Sequence, residues 1–223
     1  MEGKAMESKV IEPCFGERFI GSGAKNIRII INGTPGNALG SYLDGGEIIV
    51  NGNAQDAVGD TMNDGKIIVH GSAGDALGYA MRGGAIYIRD NSGYRTGIHM
   101  KEYKEKKPVI VIGGMAGSFL GEYLAGGLII VLGIDKADVP VGDFTGTGMH
   151  GGKIFNRTNA SLPPLPKQVI IDSAGEEELS EIAPYVLKYA EYFKKDAALL
   201  MKSRFYLLKP NAKNPYKQLY TAN

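Results

Sequence analysis

Short runs of isoleucine and valine recur along the chain at a nearly constant interval. The segment EIIVNGNAQDAVGDTMNDG begins at Glu47, and KIIVHGSAGDALGYAMRGG begins nineteen residues later at Lys66. Because β-branched residues at this density favour extended backbone over helix, each unit is predicted to open with a strand. The aligned units start near Ile27, Glu47, Lys66, Ala85, Pro108, Leu128 and, for a last partial unit, Lys153.

A second short apolar cluster follows the turn in most units, as in Ala38-Leu39, Ala57-Val58 and Ala76-Leu77. The interval between the two clusters is too short for a helix, which argues against leucine-rich and helical repeats. A period near twenty residues indicates a solenoid, in which each unit buries its apolar face against its neighbours. The predicted fold is therefore all-β: a right-handed, single-stranded parallel β-helix of about six to seven coils, with a C-terminal helical appendage.

Glycines repeat in register with the strands, and we expect them to form the corners of the coils. Paired glycines such as Gly45-Gly46 and Gly83-Gly84 are expected to turn the chain with positive φ, which glycine adopts without a steric penalty. This structural role requires no bound phosphate or other ligand. The predicted turn glycines are Gly33, Gly40, Gly46, Gly52, Gly59, Gly65, Gly71, Gly78, Gly84, Gly121, Gly127, Gly142 and Gly152.

Polar side chains also share repeat positions. One position holds Asn37, Asp56, Asp75 and Ser118, and another holds Asn32, Asn51 and His70. We expect these side chains to form hydrogen-bonded ladders that satisfy the amides of the turns. A calcium site is the alternative, but the calcium-binding β-roll repeats every nine residues with a different glycine pattern.

The ends of the chain depart from the repeat. The pattern divides the chain into an N-terminal cap (1–26), the β-helix (27–158), and a C-terminal region (159–223) with a proline-rich strap, a helix and an extended tail. Solenoids need such covers because their end strands expose unpaired edges. In the tail, Tyr216 and Tyr220 suggest an arm laid over another chain.

One helix is predicted between Glu176 and Arg204, and its apolar residues recur every three or four positions. Pro184 is expected to kink the helix or to restart it as a second one. The apolar stripe either packs on the flank of the β-helix or docks on a partner protein. Its members are Leu179, Ile182, Val186, Ala190 and Phe193.

The repeat is interrupted twice, by extra residues between Ile98 and Lys107 and by others around Gly142. Insertions in a solenoid map to loops, often on the face that meets a partner. The candidate partner-facing residues are His99, Lys101, Tyr103, Asp143, Phe144 and His150.

Charge and cysteine content exclude several classes of function. The 25 Lys and Arg residues nearly balance the 24 Asp and Glu residues, whereas a nucleic-acid groove or a membrane surface needs concentrated basic charge. Cys14 is the only cysteine in the sequence, so the chain cannot form an intramolecular disulfide or ligate an iron–sulfur cluster with cysteines alone. With no secretory signal and no apolar run of about 18 residues, we expect a cytoplasmic protein.

Motifs that resemble active sites have structural explanations here. The segment from Gly146 to Gly151 matches G-x-G-x-x-G but continues into a predicted strand, whereas a dinucleotide site needs a helix there. The three histidines are too dispersed for a metal site, and no other feature suggests a glycosidase around Asp56 and Asp75. We therefore predict no catalytic, cofactor-binding or metal-binding residue.

The glycine pattern between about Ile27 and Arg157 resembles a known family. The segments Asn51–Gly59, Gly71–Gly84 and Gly142–Gly152 are similar to the GXGXG β-helix at the C-terminus of the glutamate synthase large chain. The same β-helix is found in one of the subunits of formylmethanofuran dehydrogenase and in a small subunit of N-methylglutamate synthase. The resemblance implies a stand-alone third part of a split glutamate synthase.

In that family glutamine and 2-oxoglutarate yield two glutamates, and the β-helix contributes no catalytic residue. The resemblance thus implies a structural subunit that holds separate glutaminase and FMN synthase parts together. FMN and an iron–sulfur cluster are expected on these partner subunits, because this chain has neither a long flavin-binding barrel nor a cysteine cluster for iron–sulfur ligation. It also lacks the N-terminal nucleophilic cysteine of the glutaminase part. The alternatives are a scaffold subunit of formylmethanofuran dehydrogenase and a free-standing carbohydrate-active β-helix. Self-association is left open, and neither nucleic acid nor membrane is an expected partner.

Overall fold

The computed structural model of the protein describes residues 7–134 and 139–211. It contains ten strands and two helices in these segments. The strands are β1 (Glu7–Phe15), β2 (Ile27–Thr34), β3 (Asp44–Asn51), β4 (Asp64–Val69), β5 (Ala85–Ile88), β6 (Val109–Ile112), β7 (Ala125–Val131), β8 (Gly151–Arg157), β9 (Val169–Ser173) and β10 (Phe205–Pro210). The helices are α1 (Glu176–Phe193) and α2 (Ala197–Met201).

Strands β1 to β8 pair in parallel, each with the next along the chain. The register advances by one repeat per strand, so that Ile29 lies beside Ile48 and Ile48 lies beside Ile67. The predicted parallel β-solenoid is confirmed, with about seven turns and a small helical part at the C-terminus. Each turn supplies the same local contacts, which is why the sequence repeat is so regular.

Side chains along the strands alternate between two apolar clusters, as the period of two in a strand requires. Those of Ile48, Ile67 and Ile86 point into the solenoid and are fully buried. Those of Ile68 and Tyr87 point outward and are buried beneath α1. The sheet is therefore covered on both faces over its C-terminal half.

The solenoid begins earlier than the sequence pattern predicts. β1 pairs with β2 from Glu7 beside Ile27 onward, so residues 7–26 form the first coil of the solenoid. The boundary expected at residue 27 is thus one coil too late. The sequence of β1 lacks the isoleucine run of the later strands because it is an edge strand whose residues are mostly exposed. Residues 1–6 of the expected cap lie outside the described residues.

The C-terminal region also contains strands that were not predicted. β10 pairs antiparallel with β8, and β9 pairs antiparallel with β10, so these two strands extend the sheet beyond the last coil. The helical region ends at Met201 rather than at Arg204. In the proline-rich strap, Leu162 and Leu165 pack against the interior core. Tyr216 and Tyr220 lie outside the described residues.

Helix α1 passes through Pro184, so the expected restart there is wrong. Because proline has no amide hydrogen, the carbonyl of Ser180, four residues earlier, has no helical hydrogen-bond donor. Both Ser180 and Pro184 are exposed, so water can donate a hydrogen bond to that carbonyl. The break occurs instead after Phe193, where Lys194 has a left-handed backbone with φ of 53°. Neither helix in the described part of the chain is long and apolar enough to cross a membrane.

The apolar stripe of α1 packs on the flank of the solenoid. Ile182, Val186 and Phe193 are buried against the outward-facing residues of the sheet. The hydroxyl of Tyr189 donates to the carbonyl of Arg89 at 2.8 Å. Because this flank is covered by the chain's own helix, the stripe is not available to a partner.

An ion-pair triad fixes α1 to the solenoid. Glu181 accepts from Lys107 at 2.9 Å and from Lys153 at 2.7 Å. Partial burial alone would raise the pKa of the Glu181 carboxyl, but the two lysines outweigh it and hold that pKa below its usual range.

Candidate functional site

One corner of the solenoid is built from residues with left-handed backbone. Two positions in successive coils adopt φ between 49° and 63°. The amides there donate to the next coil, as Ala38 does to the carbonyl of Asp56 at 2.9 Å and Tyr42 to that of Asp60 at 2.8 Å. The first position holds Phe19, Ala38, Ala57, Ala76, Arg95, Phe119 and Phe144, and the second holds Tyr42, Thr61, Ala80, His99 and Tyr123.

The predicted polar ladder lies beside this corner and is confirmed by its hydrogen bonds. The Oδ1 atom of Asp56 accepts from the amide of Asp75 at 2.9 Å, and that of Asp75 accepts from the amide of Tyr94 at 2.8 Å. Ser118 Oγ accepts from the amide of Asp143 at 3.1 Å. These side chains therefore satisfy turn amides of the neighbouring coil.

A second ladder was only partly predicted. The side-chain amide of Asn51 donates to the side-chain oxygen of Asn32 at 2.8 Å, as expected. His70 follows in the same position, but its ring contacts the edge of Phe193 at 5.1 Å between centroids. The prediction that His70 joins the ladder is thus wrong, because α1 ends beside it. A further unpredicted column, with Asn53 and Asn91 among its members, caps turn amides in the same manner.

The turn glycines serve two different purposes. Eleven of the thirteen predicted glycines have positive φ, whereas Gly71 and Gly142 do not. At these two positions a Cβ atom would overlap the preceding coil, so close approach explains the glycine. At Gly46 both reasons apply, since φ is 90° and a Cβ would overlap the carbonyl oxygen of Ile27.

Aromatic rings cover the corner in the last four coils. We call this surface the aromatic corner, and it comprises Tyr79, Tyr94, Arg95, His99, Phe119, Tyr123 and Phe144. His99 stacks on Tyr123 with centroids 5.1 Å apart, and Phe119 stacks on Phe144 at 4.9 Å. Each stacked pair joins adjacent coils, so the ring spacing follows the spacing of the strands.

The stacking direction determines which part of each ring faces solvent. The interplanar angles are 10° for His99 on Tyr123 and 25° for Phe119 on Phe144. Because these rings stack along the solenoid axis, their faces are turned toward neighbouring coils and their edges point outward. A sugar-binding platform presents ring faces, so this arrangement disfavours a carbohydrate groove.

A guanidinium group lies within the aromatic corner. Arg95 lies over the ring of Phe119 at 5.2 Å and over that of Tyr94 at 5.7 Å. Its Nε atom donates to Glu122 at 2.8 Å, and the carboxylate of Glu122 is mostly buried. The cation is thus held in one orientation by two rings and one carboxylate.

Carboxylates along the same corner have no cationic partner. Asp56, Asp60, Asp75 and Asp143 form no ion pair with any described residue. At the opposite corner, where the strands begin, Asp44 contacts both Lys25 and Lys106. The charge on a nearly neutral chain is therefore distributed unevenly, with uncompensated negative charge beside the aromatic corner.

The structure separates the six candidate partner-facing residues into two groups. His99, Asp143 and Phe144 lie in or beside the aromatic corner, and His150 is half-buried just after it, with Nδ1 3.1 Å from the carbonyl of Gly148. Lys101 and Tyr103 are exposed in a separate loop.

That loop is anchored to the chain's own surface. Tyr103 and Lys106 exchange backbone hydrogen bonds, and Lys106 contacts Asp64 at 3.0 Å. The ammonium of Lys107 reaches α1. Lys106 and Lys107 are therefore paired within the chain, in contrast to the aspartates beside the aromatic corner.

Sequence reasoning missed most of the aromatic corner. Tyr79, Tyr94, Arg95, Phe119 and Tyr123 were not among the predicted residues. A signal was available in the repeat itself, because the alanines of the second to fourth coils are replaced at the same position by arginine and phenylalanine in the later coils.

The described residues show no grouping typical of a metal site or a reactive thiol. No three His, Cys, Asp or Glu side chains in 7–134 and 139–211 lie close enough to hold a metal ion. Cys14 is buried, and burial together with the neighbouring carboxylate of Glu17 raises the pKa of its thiol. A thiol with a raised pKa is a poor nucleophile at neutral pH.

Two comparisons identify similar proteins. A family model described as the GXGXG motif matches residues 4–211. The uncharacterized protein MJ1350 of Methanocaldococcus jannaschii is 44% identical over 229 residues, which cover 99% of this chain and 88% of that protein. The match includes the first coil and the C-terminal strands as well as the regular repeats.

Proposed function

Since the chain belongs to the GXGXG motif family, we propose that it is a non-catalytic, structural subunit of a glutamate synthase-type oxidoreductase. The observation that carries this proposal is the family match, which extends over all of the described residues. In this role the chain would hold a glutaminase part and an FMN synthase part in one assembly that converts glutamine and 2-oxoglutarate to glutamate.

The geometry suits a rigid spacer. Eight parallel strands at about 4.8 Å give a rod roughly 34 Å long. Each coil is tied to the next by strand pairing, by side-chain ladders and by the amides of the corner. Such a rod keeps attached proteins at a fixed separation, because one coil cannot move relative to the next without breaking these bonds.

The redox cofactors are proposed to lie on the partner subunits. The chain's one cysteine is buried, and its thiol donates a hydrogen bond to the carboxylate of Glu17 at 3.0 Å. It is therefore unsuited to ligate an iron–sulfur cluster. FMN and an iron–sulfur cluster are accordingly assigned to the parts that this chain would join.

Reconstitution tests the proposal. The chain and the two separately encoded glutamate synthase parts from the same genome would be purified and mixed, and complex size and glutamine-dependent glutamate formation measured. We expect a complex that contains all three chains and a faster rate than without this chain. If neither part binds this chain, the proposal is wrong.

An affinity purification distinguishes this proposal from the alternative oxidoreductase. A tagged copy of the chain, isolated from its native cell under anaerobic conditions, is expected to carry an FMN protein. Stoichiometric recovery of a molybdenum or tungsten protein would instead assign the chain to a formylmethanofuran dehydrogenase-type complex.

A further inference from the structure

We infer that the aromatic corner docks a basic protein surface on one of the proposed partner parts. This inference rests on the proposed function and names the chemistry of the partner. It commits to a different polypeptide, one that presents arginine or lysine side chains beside apolar ones.

The first argument is the exposure of the rings. Tyr79 is 40% exposed, Tyr123 is 44% exposed and Phe144 is 57% exposed. Helices α1 and α2 pack on the strand flank rather than on this corner. Contiguous exposed aromatic surface with an arginine among it is typical of the centre of a protein interface.

The second argument is that the rings are held in place before any partner arrives. Stacking fixes the rings of His99 and Phe119 against the next coil, and Arg95 is fixed by Glu122. Binding to side chains that are already ordered loses little conformational entropy. The surface extends about 20 Å along the axis from the coil of Asp56 to that of Phe144, by the spacing of the strands.

The third argument is charge. Asp56, Asp60 and Asp75 continue the same corner toward the N-terminus, and none of them is paired within the described residues. Arginine and lysine side chains on a partner could pair with these carboxylates and pack their stems or guanidinium planes on the neighbouring rings. Complementary charge of this kind also speeds association.

The charge argues against a second copy docked through the same face. A two-fold contact with the two solenoids parallel would bring the aspartates of both copies together, and an antiparallel contact would offer them Arg95, which is already paired with Glu122. Like charges across an interface cost binding energy, so the acidic positions favour a basic partner over self-association.

Two sets of variants test the inference while the ladder and the backbone are kept. The triple variant D56N/D60N/D75N removes three charges but retains the amide-capping oxygen of Asp56 and Asp75. The double variant Y123N/F144N removes two rings at left-handed positions that asparagine tolerates.

Matched controls lie away from the corner. E105Q/E176Q/E177Q removes three exposed carboxylates elsewhere that form no ion pair with a described residue, and L187N replaces an apolar side chain that is 60% exposed on α1. Binding of every variant to the purified glutaminase part and to the purified FMN synthase part would be measured by calorimetry at low and high salt.

We expect each corner variant to weaken binding to one part by about tenfold or more, and the controls to change it less than about twofold. The salt dependence should be smaller for D56N/D60N/D75N than for the wild type. Wild-type binding that is unchanged by both corner variants would overturn this inference and leave the proposed function intact. No wild-type binding to either part would overturn the proposed function itself, and a change in the chain's own oligomeric state in the corner variants would show self-association instead.

Discussion

The strand flank, which is the outward face of the sheet, and the aromatic corner are built by the same repeat. They differ in exposure, because α1 covers the flank and leaves the corner open. On the flank, outward side chains such as Ile68 and Val111 are buried beneath α1. At the corner, Tyr94 and Phe144 remain exposed. Both surfaces carry an apolar column, but α1 covers only the column on the flank.

The two surfaces separate the residues that stabilise the fold from those that are free to bind a partner. Rings on the flank contribute to the free energy of unfolding because they are removed from water within the chain. Rings at the corner are still in contact with water, so they would be buried only when another protein binds there. Substitutions can therefore separate the two regions.

The largest loss of stability is predicted for a glycine substitution at a close approach between coils. We predict that G46A lowers the free energy of unfolding by roughly 4 kcal/mol or more, because its Cβ would overlap the backbone of Ile27 at a φ of 90°. Urea unfolding measures this loss. The control is G23A, where φ is 64° but nothing lies within 4 Å of the added Cβ, so that backbone strain alone should cost about 1–2 kcal/mol. Equal losses in the two variants would contradict the packing explanation.

The next prediction compares the loss of stability at two tyrosines, one on the flank and one at the corner. We predict that Y189A costs about 3–5 kcal/mol, because the ring is fully buried and its hydroxyl bonds to Arg89. Y79A, at the corner, should cost less than about 1 kcal/mol. Thermal unfolding of both variants tests the comparison, and a similar loss at both sites would show that the corner rings are part of the folding core.

A smaller effect is expected from the ion-pair triad of Glu181. The folded-state pKa of this carboxyl is below its usual value. The contribution of Glu181 to the free energy of unfolding is therefore present above about pH 5, and it is lost as the pH falls through the folded-state pKa. We predict that E181Q destabilises the protein by about 1 kcal/mol at neutral pH and by less at pH 3. Urea unfolding at both pH values provides the measurement. A loss that stays constant with pH would assign the effect to packing.

The smallest predicted effect is a gain in stability from a substitution at the corner. Ala57 has a φ of 57°, which glycine adopts without steric cost. We predict that A57G leaves the protein unchanged or stabilises it by up to about 1 kcal/mol, although glycine usually destabilises regular structure. A Tm below that of the wild type would show that the methyl group of Ala57 contributes more through packing than its backbone strain costs.

The repeat made the solenoid and the ladder of Asp56 and Asp75 predictable. Ile48 and Ile67 are nineteen residues apart because each coil repeats the same strand and the same turn, and Asp56 and Asp75 cap amides because their position relative to the turn is the same. These interactions are local to one coil or its neighbour, so a periodic sequence encodes them directly.

The first coil and the C-terminal strands were missed for a physical reason. β1 is an edge strand with little buried surface, so its sequence does not need the isoleucine run of β3 or β4. β10 pairs antiparallel with β8 after a chain excursion of almost fifty residues, and no local pattern specifies that pairing.

The period, strands β2 to β8, the glycine corners and the ladder of Asp56 and Asp75 could be read from the sequence alone, because these features depend on contacts that recur in every coil. Which outward column α1 covers, and which rings meet at the corner, depend on how the coils stack and cannot be read from the repeat. His99 and Tyr123 are 24 residues apart, and Phe119 and Phe144 are 25 apart, yet both pairs stack as residues of adjacent coils. The extra residues are accommodated between corner and strand, where loops can lengthen at little energetic cost, so coil stacking rather than sequence distance brings the rings together.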